Sequence, residues 1–124
     1  MKWTGYITRN KKTRVGVDAY FLRGEGNEVQ DEHNLNVSHR LPFEDLAQKE
    51  ISSVIVFVAS DETQEESFIQ NYHSYFREKN RAGMITTKDR HSIYIVPSGT
   101  EEAAKYYSSE RKYLVGLLEL NNKA

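Results

Sequence analysis

The sequence predicts an α+β fold, a mostly antiparallel, barrel-like sheet of seven strands interrupted by three helices. Strand-length runs of β-branched and aromatic residues recur from Trp3 to Leu118, and hairpin-length links join them at both ends of the series, as antiparallel neighbours allow. Helical segments break the series in the middle, without the regular strand–helix alternation that builds a doubly wound parallel sheet. At 124 residues, with 38% hydrophobic residues, five Phe, eight Tyr and one Trp, the chain suffices for one domain with its own core. A single domain over 1–124 is therefore expected, cut from a longer protein.

Taken in order, Trp3-Thr4-Gly5-Tyr6-Ile7-Thr8 is rich in aromatic and β-branched residues and stops at the polar turn Asn10-Lys11-Lys12. Val15, Val17, Ala19 and Phe21 alternate with Arg14, Gly16, Asp18 and Tyr20, a period of two that turns one apolar face inward until Gly24-Glu25-Gly26 ends it. The polar, acidic stretch from Asn27 to Asn34 reads as a mobile surface loop carrying little core. Leu35, Val37 and His39 then share one face of a short strand closed by Leu41-Pro42, with Asn36, Ser38 and Arg40 on the other. Arg40 is thus expected to point away from Leu35 and Val37.

Phe43 to Gln48 suits a short helix with Pro42 near its start, packed through Phe43, Leu46 and Ala47. Ser52 to Ala59 is a continuous apolar run, read as a central strand buried on both faces. Thr63 and Glu66 have capping-box spacing in an acid-loaded first turn, so a long helix should start there and reach about Lys79. Within it Phe68, Ile69, Tyr72, Tyr75 and Phe76 form one apolar stripe. Gly83 is expected to supply a left-handed turn past the helix end, ahead of a strand at Met84-Ile85-Thr86. Lys88-Asp89 turns into the strand Ser92-Ile93-Tyr94-Ile95-Val96, ended by Pro97-Ser98-Gly99. Thr100 to Tyr107 has helical propensity, Tyr113 to Leu118 closes the series as a strand, and at most one of the adjacent Tyr106 and Tyr107 faces inward.

Composition removes several function classes. A net charge of −1, from 17 basic and 18 acidic residues, gives no overall electrostatic footprint for nucleic acid or an anionic membrane, so any anion site is local. Without cysteine there is no disulfide framework, thiolate metal ligand or thiol nucleophile, a composition that fits a reducing compartment. No apolar run approaches the roughly 18 residues of a membrane-spanning helix, and Met1-Lys2-Trp3 begins no signal peptide, so a soluble intracellular protein is expected.

Catalytic patterns are weak. His33, His39, His73 and His91 show no HExxH or i,i+4 pairing, and the acids from Glu25 to Glu32 and from Asp61 to Glu66 are explained by a loop and a helix N-terminus. Tyr75-x-x-x-Lys79 has the spacing of a dehydrogenase tyrosine–lysine pair, but Gly24-x-Gly26 lacks a third glycine and precedes a polar loop rather than opening a helix. No catalytic residue, metal site or cofactor is expected. Trp3, Tyr6 and Phe21 could form a base-stacking platform, the basis of an alternative reading as a nucleic-acid-binding barrel, although strands that need an apolar face favour core packing for all three.

The stretch from Tyr75 to Ile85 gathers Arg77, Lys79 and Arg81 at a helix end, where exposed carbonyls accept cations as simple dipole partners. Tyr75 and Lys79 stand one turn apart on a shared face, whereas Arg77 faces elsewhere. Should Arg40 lie beside that face, the group becomes a pocket for phosphoserine, which carries about −1.5 to −2 charges and three acceptor oxygens. From the residues alone, a pocket and a set of solvated helix-end charges stay equally open.

Trp3-x-Gly5, Leu35-x-Val37-x-x-Arg40-Leu41, Val54-Ile55-Val56-Phe57, Tyr75-Phe76-x-x-Lys79-x-Arg81-Ala82-Gly83-Met84-Ile85, Ser92-Ile93-Tyr94-Ile95-Val96-Pro97 and Leu114-Val115-Gly116-Leu117-Leu118 together resemble, in this order, the SPOC domain, the C-terminal domain of Spen-type proteins. The resemblance implies a distorted seven-stranded barrel framed by helices. It further implies a non-catalytic reader of phosphoserine peptides, of the kind found in transcriptional corepressors, RNA-processing factors and proteins that bind the RNA polymerase II C-terminal tail. Carried onto this chain, the family's basic patch falls on Arg40, Tyr75 and Lys79, with Arg81 a further member, while Asn36 and Pro42 stand where some members carry additional arginines. The expected partner is a serine-phosphorylated disordered peptide, a corepressor tail or the polymerase tail, met in the nucleus by a monomeric domain that needs neither membrane nor nucleic acid.

Overall fold

Period-two alternation on consecutive segments here closes a sheet on itself. The computed structural model describes residues 2–120. Its strands are β1 (Lys2–Arg9), β2 (Lys12–Arg23), β3 (Asn34–Pro42), β4 (Ile51–Ala59), β5 (Arg81–Thr86), β6 (Ser92–Pro97) and β7 (Leu114–Glu119). They form a closed barrel in the order β1-β2-β4-β7-β6-β5-β3. Every neighbouring pair is antiparallel except β1 with β3, which run parallel and seal the ring. In a ring no strand is central; β4 lies between β2 and β7 and is buried on both faces as its composition requires. Ile55, Phe57 and Ala59 face the main core, while Val54, Val56 and Val58 enter a second cluster on the outside of the barrel, with Leu46, Ala103 and Tyr113.

One helix spans Glu62 to Lys79 in three pieces: α1 (Glu62–Phe68), a π-turn (Ile69–His73) and α2 (Ser74–Lys79). Its cap is Asp61, whose carboxylate accepts from the Gln64 amide at 3.1 Å, rather than Thr63, whose hydroxyl donates to Asp61. The hydroxyl of Thr63 and the backbone amides hold the Asp61 carboxyl below its ordinary value. Phe68, Tyr72 and Phe76 are fully buried, and Ile69 and Tyr75 half-buried against them. Burying a side chain such as Phe76 contributes about 1.5–3 kcal/mol. The Tyr72 hydroxyl donates to the carbonyls of Ile7 and Thr13, tying this helix to the β1–β2 hairpin, and burial pushes its phenol above the ordinary range.

Four further details depart from the sequence reading. The stretch Asn27 to Asn34 is not an idle loop: Val29 and Glu32 are buried, Trp3 Nε1 donates to the Glu32 carbonyl at 2.9 Å, and the Glu32 carboxylate accepts from the Lys88 amide. The segment Phe43–Gln48 is a 3-10 helix, whose tighter period buries Leu46 and half-buries Phe43 but leaves Ala47 exposed. The left-handed residue past α2 is Asn80, at φ 56, so the chain enters β5 directly at Arg81. Gly83 lies inside β5 for another reason: a β-carbon there would sit 2.8 Å from Phe76 Cζ and 2.9 Å from both Val37 Cγ1 and Ile95 Cγ1. In agreement with the sequence reading, the last helix α3 (Glu101–Ala104) starts from Thr100, and one of the two tyrosines after it, Tyr107, packs inward while Tyr106 is exposed.

Candidate functional site

The aim of Arg40 is set by an irregularity of β3. Val37 lies opposite Ile85, but His39 lies opposite Met84, so Ser38 is an extra residue, a β-bulge. Beyond it the alternation is inverted. Arg40 falls opposite Gly83, and Gly83 and Ile85 lie on one face of β5, so Arg40 shares the face of Val37. The expectation from strict alternation is therefore corrected: His39 is exposed instead of joining Leu35 and Val37, and Arg40 turns toward α2. With no side chain at Gly83 the helix packs close against β5, and Arg40 Cζ comes 5.8 Å from the centre of the Tyr75 ring.

Around Tyr75 opens a cavity of about 490 Å³, lined by Arg9, Asn10, Val37, Ser38, His39, Arg40, Tyr75, Lys79 and Arg81. All four residues singled out from sequence, Arg40, Tyr75, Lys79 and Arg81, line it. Lys79 comes from the last turn of α2, and Arg81 from the first position of β5, opposite Pro42. The Arg81 guanidinium donates to the Asn80 carbonyl at 3.1 Å. Arg77 is absent from the lining and lies beside Gly99.

Arg9 was not foreseen. Its guanidinium carbon lies 3.6 Å from the centre of the Tyr75 ring, and its Nη1 is buried without a hydrogen-bond partner. The signal in the sequence was parity: Ile7 faces the core, so a residue two further on returns to that face, where Arg9 meets Tyr75. Reading the strand as ending at Thr8 hid this.

Electrostatically the cavity is one-signed. Ion pairs among the described residues are Lys2 with Asp18 and Arg111 with Glu65, so Arg9, Arg40, Lys79 and Arg81 have no carboxylate within 4.0 Å there. Such a set of unneutralised cations, with hydroxyl groups from Ser38 and Tyr75 also in the lining, suits an anion that carries several acceptor oxygens. Ser38 Oγ and His39 Nδ1 are 2.8 Å apart on the rim. Among the described residues no three His, Asp or Glu side chains converge to hold a metal ion.

The aromatic trio of the nucleic-acid reading does not share a surface. Trp3 is buried with its indole N–H satisfied, Phe21 packs half-buried on the core, and Tyr6 is exposed with Arg14 at 4.2 Å from its ring centre. No helix among the described residues is long and apolar enough to cross a membrane.

A family model described as the SPOC domain matches residues 1–118. The fold is similar to the crystal structure of the SPOC domain of human PHD-finger protein 3, at 19% sequence identity and a TM-score of 0.72, covering 98% of each chain. No curated protein sequence matches the chain.

Proposed function

Because the chain belongs to the SPOC domain family, protein-interaction modules of transcription and RNA processing, we propose that its cationic cavity docks a short, disordered, serine-phosphorylated peptide and recruits its owner without catalysis. The observation that carries this reading is the convergence of Arg9, Arg40, Lys79 and Arg81 on one cavity beside Tyr75, with no carboxylate in its lining. Arginine offers forked donors to phosphate oxygens, lysine a point charge, and the phenol a further donor. A phosphate of about −1.5 to −2 charges matches this set far better than an aspartate or glutamate does.

The peptide belongs to a corepressor tail or to the RNA polymerase II C-terminal tail, and the domain acts in the nucleus, as a monomer, within a longer protein. Titrating polymerase-tail and corepressor peptides, each with and without phosphate, against the wild type and Lys79→Ala tests the reading. Phosphorylated peptide should bind the wild type tightly and the variant weakly; equal affinity for phosphorylated and unphosphorylated peptide overturns it.

A further inference from the structure

We infer that the peptide is held as an added strand, its main chain paired with the vacant edge of β3 beside the cavity. This rests on the phosphopeptide reading above and goes beyond it, because it assigns part of the recognition to backbone.

The two sides of β3 are occupied over different lengths. β5 accompanies it to the end, where Pro42 faces Arg81. β1 runs parallel to it only from Tyr6 opposite Asn34 to Arg9 opposite Val37. There Asn10 donates its amide to the Val37 carbonyl at 2.9 Å, and the left-handed Asn10 and Lys11, at φ 52 and 63, swing the chain back into β2. From Ser38 to Pro42, β3 therefore lacks a neighbour among the described residues on the side β1 has left. Ser38, His39 and Arg40 are exposed, line the cavity, and take part in none of the backbone hydrogen bonds formed outside the strand ladders among the described residues.

Exposed edges are commonly guarded by a bulge and by charge, and this one carries both. The guard is selective. Cations at Arg9, Arg40 and Arg81 discourage a neutral or basic strand and attract an anionic one. The vacant stretch of five residues, Ser38 to Pro42, is about 16 Å long at strand rise, bounded by Arg9 and Arg81. A peptide laid along it turns alternate side chains to the helix face. A phosphoserine on that face meets Arg40, Tyr75 and Lys79, while its immediate neighbours turn away. Strand addition of this kind draws affinity from main-chain hydrogen bonds and specificity from alternate side chains.

The test leaves the domain untouched. In the phosphoserine peptide that binds best from the polymerase-tail and corepressor panel, each backbone amide in turn is N-methylated, which removes one donor and adds bulk at that point. Methylation at alternate positions within three residues of the phosphoserine should weaken binding roughly tenfold or more, the equivalent of one lost hydrogen bond plus a steric clash, and intervening positions should tolerate it. Uniform tolerance, with phosphate dependence intact, overturns the added strand. Loss of phosphate dependence in the unmodified peptide overturns the parent reading instead.

Discussion

Arg9 stands over the ring of Tyr75, with its Cζ 3.6 Å from the ring centre, so the end of the first strand and the last turns of the long helix meet in one cation–aromatic contact. The contact holds a guanidinium half-buried with its buried Nη1 unpartnered among the described residues. Arg9→Ala should lower phosphopeptide affinity about tenfold while reducing stability by ~1 kcal/mol or less. Calorimetric titration beside thermal unfolding separates the two effects, and unchanged affinity would remove Arg9 from the binding set.

Arg40 and Lys79 are exposed and approach the cavity from opposite walls. Arg40→Ala and Lys79→Ala should each cost phosphopeptide binding about 1.5–3 kcal/mol, the range of a hydrogen bond to a charged group, and leave the melting temperature close to wild type. Neither should alter the weak residual binding of unphosphorylated peptide. A variant that loses both peptides equally has lost packing rather than a phosphate contact.

Gly83→Ala attacks the same corner through its support. The added methyl meets Phe76, Val37 and Ile95 below 3.0 Å, all parts of a packed core. Overpacking of this kind costs about 1–3 kcal/mol and should appear as a lowered denaturant midpoint. A midpoint equal to wild type would mean that helix and strand separate there at no cost.

His73 gives the fold a pH dependence. The ring is buried, with Nε2 at 2.8 Å from Ser98 Oγ and Nδ1 unpartnered. Burial lowers its pKa below the ordinary 6.5, helped by the nearby Lys112 charge, against a Ser98 bond that raises it. A depressed folded value means that the unfolded chain takes up the proton first. The stability due to neutral His73 is fully present above about pH 6.5 and is lost as pH falls through the lower folded value. Unfolding midpoints measured across this window should fall toward acid in the wild type and stay flatter in His73→Gln.

Strands and helices were legible because their patterns are local: alternation marked β2, an apolar run marked β4, and a stripe marked the helix face. What escaped depends on pairing. The parallel contact of β1 with β3 that closes the barrel joins segments separated by a whole hairpin. The bulge at Ser38 is visible only in register against β5. Nothing in Asn36-Val37-Ser38-His39-Arg40 itself announces an inverted alternation, and so Arg40 was assigned to the wrong face, although it lines the cavity beside Tyr75. Gly83 was legible as a necessary glycine but for the wrong cause, since a close approach and a turn ask for the same residue.

The π-turn at Ile69–His73 bears on how such a domain tolerates change over time. A π-turn is in effect an α-helix with one residue too many, as the bulge at Ser38 is a strand with one too many. Excising the extra residue from the turn would return the segment to a plain α-helix, with Tyr75 and Lys79 still on the face toward the cavity. Excising Ser38 would leave His39 opposite Met84 and Arg40 opposite Gly83 in a regular strand, with Arg40 still on the face of Val37. Each extra residue is therefore absorbed where it stands, and the walls on either side of it keep their phase. Deleting the extra residue at either place should spare the cavity, a consequence that phosphopeptide titration of the two deletion variants checks.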